Sequence, residues 1–177
     1  MQEALFQSAL GIESPWFVES VTFDASLKRL DIRLDFKRGS RFEVDGVSCS
    51  VHDTVEKQWR HLNFFQHECY LHARVPRVHT PDGRVVMAMP SWSGKLAGFT
   101  LLFEALMLEF CKHMPVHQVG KMIGISDGRL WRMLELYVDA ARFDEDYSGV
   151  TAVGMDETSI AKGHAYITLF VDMIARR

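Results

Sequence analysis

The sequence has no long hydrophobic run. Nothing in its 177 residues approaches the ~18 apolar positions of a membrane-spanning helix. The opening residues, MQEALFQSAL, have neither a basic start nor an apolar core, so no secretory signal is expected there. Cysteine is scarce: Cys49, Cys69 and Cys111 are odd in number and scattered. That excludes a disulfide framework and points to free thiols in a reducing cytoplasm. A surplus of positive charge is also missing. The net charge is −3, so the chain is not a uniformly basic polyanion binder. Internal repeats and low-complexity tracts are absent from the sequence, which excludes a solenoid.

What is present is ordinary in bulk and uneven in distribution. A hydrophobic content of 47% and a charged content of 24% fit a globular protein. The length suits one medium domain or two to three small ones. Residues 28–84 hold eleven Lys/Arg against eight Asp/Glu, whereas residues 101–160 hold five against ten. This asymmetry fits a polyanion partner at the N-terminal end, and fits two ordinarily solvated surfaces equally well.

Residues 1–90 read as a small β-rich region. In LKRLDIRLDF, Leu30, Ile32, Leu34 and Phe36 alternate with Asp31, Arg33 and Asp35, the period of a half-buried strand. WFVESVTF before it is a hairpin partner across DASLK. KRGSRFEVDG is a turn and a short strand. KQWRHLNFF and CYLHARVPRV are two more strands joined near Gln66 and His67. TPDG is a turn by its proline and glycine, and RVVMAM is a further short strand.

Residues 91–143 change period. Phe99, Leu102, Phe103, Leu106 and Phe110 recur at helical spacing, with Thr100 or a neighbour as the start and Pro115 near the end. A short helix follows with Val116, Val119 and Ile123 on one face. Gly124 stops it, and Ser126 is an N-cap for a third helix that buries Leu130, Leu134, Tyr137 and Val138. Two helices joined by a tight glycine-containing turn are the helix-turn-helix pattern. In it the start of the second helix faces base edges, so Asp127, Gly128, Arg129 and Arg132 are expected to point outward, with Lys121 on the first helix beside them. The alternative is a plain helical hairpin with solvated arginines. If DNA is the partner, Arg60, Arg74, Arg77 and Arg84 of the β region are the expected phosphate contacts.

Cys49-x-x-His52 and Cys69-x-x-His72 have the spacing of zinc ligands. On a strand, however, Cys69 and His72 face opposite sides. Burial of Cys69 with Leu71, Ala73 and Val75 on one face is the better account, and no zinc is expected.

Residues 148–177 follow an acidic linker and read as two strands, VTAVGM and HAYITLFV, around ETSIAKG, with Asp156 and Glu157 at the end of the first.

Three strings together resemble the ISL-three family of insertion-sequence transposases. They are SVHDTVEKQWRHLNFFQHECYLHARVPRV, GFTLLFEALMLEFCKHMPVHQVGKMIGISDGRLWRMLELYV and AVGMDETSIAKGHAYITLFVDM, in the family's order. The resemblance implies an α+β chain of a zinc-ribbon-like region, a helix-turn-helix domain and the opening hairpin of a ribonuclease-H-like DDE domain. Its ribbon cysteine positions fall here on Phe42 and Asp45 and near Thr80 and Gly83, so a ribbon without its zinc is implied. Core packing by Trp59, Leu62, Phe64, Phe65 and Tyr70 is expected to replace the metal. Asp156 matches the first DDE aspartate. In the family it acts with a second aspartate and a glutamate to hold two Mg²⁺ or Mn²⁺ ions, about 3.5–4 Å apart.

The matching partners lie beyond Arg177, so the chain is expected to bind double-stranded DNA at an element's terminal inverted repeats without cutting it alone. A homo-oligomer or a full-length transposase is the implied protein partner, and a nucleoid-associated cytoplasmic location is implied. A stand-alone regulator that occupies the same ends is the alternative. A metal-dependent nuclease using Asp156, Glu157, Asp172 and His164 is a third, disfavoured because strand geometry scatters those side chains. Residues 150–177 are expected to be poorly packed, with YITLFV as an apolar edge.

Overall fold

The computed structural model describes residues 2–143, 145–161 and 165–175. It divides into two compact units, one running to Leu136 and the other starting at Tyr137. Among the described residues no helix is long and apolar enough to cross a membrane.

The first unit contains helix α1 (Gln2–Ala9) and strands β1 (Trp16–Asp24), β2 (Arg29–Phe36), β3 (Arg41–Val44), β4 (Val47–Phe64), β5 (His67–His79) and β6 (Val85–Met87). Helices α2 (Leu101–His113), α3 (Val116–Ile123) and α4 (Asp127–Arg142) follow. The sheet order is β1-β2-β5-β4-β3, with β6 on β5. β1–β2 and β4–β5 are antiparallel, as the hairpin readings of the sequence expect. β2 and β5 pair in parallel, which local pattern does not reveal. A parallel neighbour needs a long return path, and β3 with the long β4 supplies it.

The alternation in β2 sets the core. Leu30, Ile32 and Leu34 stand opposite Cys69, Leu71 and Ala73, and all six are buried. The same register places Asp31 beside Tyr70 and Arg33 beside His72 on the other face. There the Asp31 carboxylate accepts two bonds from Arg29, both at 2.7 Å, and bonds His72 Nε2 at 2.6 Å. β3 and β4 join through Asp45-Gly46, whose φ values of 50° and 76° suit the mirror-image turn of a two-residue hairpin.

Trp16 anchors the far end of the core. Its ring meets Trp92 at 5.0 Å, Phe36 at 5.3 Å and Phe42 at 5.9 Å between centroids. Helix α1, which the sequence reading passed over, covers the outer strand. Phe6 is buried, and Gln7 Oε1 accepts from the Val18 N–H at 3.0 Å. Capping an edge in this way removes a free pairing site.

Two expectations about packing are corrected. Trp59 is buried, but Phe64 and Phe65 are 37% and 81% exposed at the β4–β5 turn, so they do not fill a metal-free core. In α2, Thr100 caps as expected, accepting from Phe103 N–H at 3.3 Å. Its buried face, however, is Phe103, Glu104 and Met107, leaving Leu102 and Leu106 exposed. The cause is Glu104. Its carboxylate accepts from the backbone N–H of Lys95 (2.8 Å) and Leu96 (2.7 Å), which turns that side of the helix inward.

The second unit holds strands β7 (Val153–Ala161) and β8 (Ala165–Asp172), an antiparallel pair. Met155, Leu169 and Phe170 are exposed on it, in line with the apolar ribbon the sequence suggests. A two-stranded ribbon buries little by itself.

Candidate nucleic-acid interface

The turn between α3 and α4 is built by two glycines. Gly124 ends α3 in the left-handed region at φ 71°. Gly120 is buried against the incoming chain. A β-carbon there would stand 2.7 Å from the Ile125 carbonyl oxygen and 2.9 Å from Asp127 Oδ1. Ile125 N–H donates back to the Gly120 carbonyl at 3.0 Å, closing the turn. Val119, Leu130 and Met133 are fully buried behind it. The boundary of α3, the GIS turn and the start of α4 at Asp127 fall where the glycine and proline pattern places them.

Burial of Leu130 and Met133 decides what α4 shows to solvent. Gly128, Trp131, Arg132 and Glu135 are all exposed, at the i, i+3, i+4, i+7 spacing of one helix face. Trp131 is 54% exposed and was missed in the sequence reading. Its signal was there: a large aromatic outside the apolar stripe. Arg132 is exposed as expected, its Nε donating to the Gly128 carbonyl at 3.1 Å. Lys121 on α3 is exposed too.

Arg129 does not point outward. Its guanidinium lies 4.0 Å over the Phe99 ring and donates to the Ala97 carbonyl at 3.2 Å. Burial, with Arg132 next, lowers its pKa. The reason is register: Arg129 precedes the buried Leu130 and sits on the flank facing the 97–99 loop. Asp127 is engaged as well, 2.9 Å from His117 Nδ1.

The four arginines expected to grip phosphate are all occupied. Arg60 is buried, donating to the carbonyls of His61 (2.8 Å) and Cys69 (3.2 Å) and to Asn63 Oδ1 (2.6 Å). It is a structural strut and corrects the expectation of a phosphate contact. Arg74 bonds Asp35 at 2.6 Å, Arg77 forks onto Asp53, and Arg84 pairs with Asp82. Bonding to Arg77 holds the Asp53 carboxyl below its ordinary range and raises the guanidinium. A phosphate at any of these three would have to compete with a carboxylate already in place.

The cysteine and histidine pairs do not converge. Cys49 packs with Val78 and Ala88 at one end of the sheet, whereas Cys69 lies nine residues from Val78 along β5, about 30 Å away. Burial pushes the Cys69 thiol up to about 12, opposite to what a thiolate ligand needs. His52 meets His79 edge to face, and His72 bonds Asp31. Phe42 and Asp45, at the family's ribbon positions, serve the core and a turn. The residues present therefore do not fit a ribbon zinc site.

Asp156 stands opposite Leu169 on the exposed ribbon. Glu157 is the next residue along the strand, and Asp172 pairs with Val153, so both fall on the face away from Asp156. His164 lies outside the described residues. Among the described residues no cluster of three metal-ligating side chains forms. The carboxylates as arranged do not fit a two-metal centre.

A family model described as the helix-turn-helix domain of transposase family ISL3 matches residues 88–138. A second, the zinc-finger of transposase IS204/IS1001/IS1096/IS1165, matches residues 46–81. The transposase for insertion sequence element IS1557 of Mycobacterium tuberculosis is 27% identical over 184 residues, covering 95% of this chain and 40% of the relative. The transposase for IS1001 of Bordetella parapertussis is 24% identical over 137 residues, covering 76% of this chain and 34% of the relative. The chain thus spans about two fifths or less of the length of these curated relatives. No solved structure gives a significant match. In chain order, then, one segment of this chain is similar to the zinc-finger of these transposases and the next to the helix-turn-helix domain of transposase family ISL3.

Proposed function

We propose that the chain is the DNA-recognition part of an insertion-sequence transposase and reads the terminal inverted repeats of its element through α4. The observation that carries this reading is the exposed stripe Gly128, Trp131, Arg132 and Glu135 on a helix whose back is locked by Leu130 and Met133. The start of such a helix enters the major groove. Gly128 has open space where a β-carbon would stand, so the backbone can approach the duplex closely. Arg132 supplies a fork suited to guanine O6 and N7, and Trp131 an apolar surface suited to a thymine methyl. The β7–β8 ribbon, with Asp156 on its first strand, is read as the opening hairpin of a ribonuclease-H-like domain. The partner fitting a protein that works on two element ends is a second copy or a full-length transposase.

The test is a fluorescence-anisotropy titration of the chain against a duplex carrying the element's end and against a scrambled duplex. The expected result is tighter binding to the end. Arg132→Ala should reduce the discrimination by about 1–3 kcal/mol. Equal affinity of the unaltered chain for both duplexes would overturn the proposal.

A further inference from the structure

With Arg60, Arg74, Arg77 and Arg84 engaged internally, the sequence-independent grip on DNA must come from other cations. We infer that the turn between β2 and β3, residues 37–41, is a phosphate-binding site for the DNA backbone. The inference rests on the DNA-recognition reading above and adds to it the groups that hold the duplex.

The turn is fixed by its own chemistry. Ser40 N–H donates to the Lys37 carbonyl at 3.1 Å, and Ser40 Oγ donates to the same oxygen at 2.6 Å. Gly39 at φ 81° takes the left-handed third position of a type II turn. Lys37 N–H donates to the Pro15 carbonyl at 3.1 Å, which pins the start of the turn to the chain before β1.

On this frame Lys37 and Arg38 are exposed, and neither side chain has an ion pair among the described residues. Arg41 is oriented by Ser48. Its Nε donates to Ser48 Oγ at 3.0 Å and its Nη2 to the Ser48 carbonyl at 2.7 Å, leaving the Nη1 hydrogens for a ligand. Lys37, Arg38 and Arg41 line one groove together with Arg74 and Asp35. Four cations thus face one carboxylate, and Arg74 already satisfies that carboxylate. In a chain of net charge −3, this groove is locally positive by three.

Its place in the sheet suits a second contact on one duplex. β2 pairs with β5 from Arg29, beside Glu68, to Leu34, beside Ala73, and ends at Phe36. The helical segment joins the sheet at the Glu68 end, where Arg60 N–H donates to Gly98 and Arg60 pairs with Tyr70. The basic turn follows the opposite end of β2, about 20 Å away along the strand. That separation equals about six phosphates of one DNA strand.

The experiment measures salt dependence on the full chain. Binding to a random-sequence duplex of about three helical turns is titrated between about 50 and 200 mM salt. For Lys37→Gln/Arg38→Gln the slope of log K against log salt should fall by about 2, with affinity lost equally on random and element-end duplexes. Arg38→Gln alone should lower the slope by about 1. Circular-dichroism melts check that these exposed turn variants stay folded. Arg132→Ala gives the contrasting signature: it loses discrimination between duplexes. An unchanged slope in the double variant, while the unaltered chain binds duplex, overturns this inference and leaves the recognition reading standing. Failure of the unaltered chain to bind any duplex overturns both. Binding of poly-glutamate that depends on Lys37 and Arg38, with duplex binding unaffected, overturns it in favour of an acidic protein partner.

Discussion

The carboxylate of Glu104 fills the space that a β-carbon on Gly94 would need. The loop before α2 wraps this buried side chain and gives it the Lys95 and Leu96 N–H groups. Only glycine lets the backbone pass so close. Gly94→Ala should therefore cost about 2–4 kcal/mol, and Glu104→Ala about 2–3 kcal/mol, since two backbone donors lose their buried acceptor. Glu104→Gln, which keeps one acceptor oxygen, should cost less. Urea unfolding of the three variants checks the order, and wild-type stability in Gly94→Ala would contradict it.

Arg129 joins α4 to the 97–99 loop. Arg129→Ala should lower stability by about 1–2 kcal/mol through the lost ring contact and carbonyl bond. Arg129→Lys should restore little, because an ammonium lacks the planar fork that lies on Phe99. Trp131→Ala, on the exposed face, should change stability by no more than about 0.5 kcal/mol. Thermal melts compare the three. An Arg129→Ala variant with an unaltered melt and lost sequence preference would make Arg129 a base reader after all.

Arg60 is held by two carbonyls and Asn63 inside the first unit. Arg60→Ala should destabilise by about 3 kcal/mol, since it removes a buried, bonded cation and strands its acceptors. The folded fraction should keep the wild-type salt slope for duplex binding. A slope lowered by about 1 in a fully folded variant would mark Arg60 as a phosphate contact.

His61 gives the fold a pH dependence. Burial, with the neighbouring Arg60 charge second, lowers its pKa from 6.5 to about 4. The neutral ring shares a hydrogen bond with Thr100 Oγ1 at 2.9 Å, at the start of α2. Between those pH values the unfolded chain binds the extra proton, so stability falls as pH drops from 6.5 towards 4. Above 6.5 the group has no effect. The loss reaches on the order of 3 kcal/mol across the window. Asp31, depressed chiefly by Arg29, adds its own loss only below the ordinary carboxylate value. Urea unfolding at a series of pH values checks the slope, and His61→Gln should flatten it above about pH 4.

The local pattern was enough to find β2, the β4–β5 hairpin, the TPDG turn and the GIS turn. Each depends on interactions a few residues apart: period-two burial, glycine at positive φ, proline at a helix end. The outward position of Arg132 followed from the same spacing. The fate of the other arginines did not. Arg77 meets Asp53 24 residues away, and Arg74 meets Asp35 39 residues away. Those pairs exist because β4 and β2 flank β5 in one register, and no local period encodes that choice. The same holds for α2, where a single buried carboxyl group outweighed an apolar stripe, because a buried polar group must face its hydrogen-bond partners. Sequence alone determined the helices, strands and turns whose period or turn residues are local, whereas α1 became legible only from its packing on β1. Tertiary structure decided which cations stay free for a partner, since charge is neutralised by whatever the sheet brings alongside it.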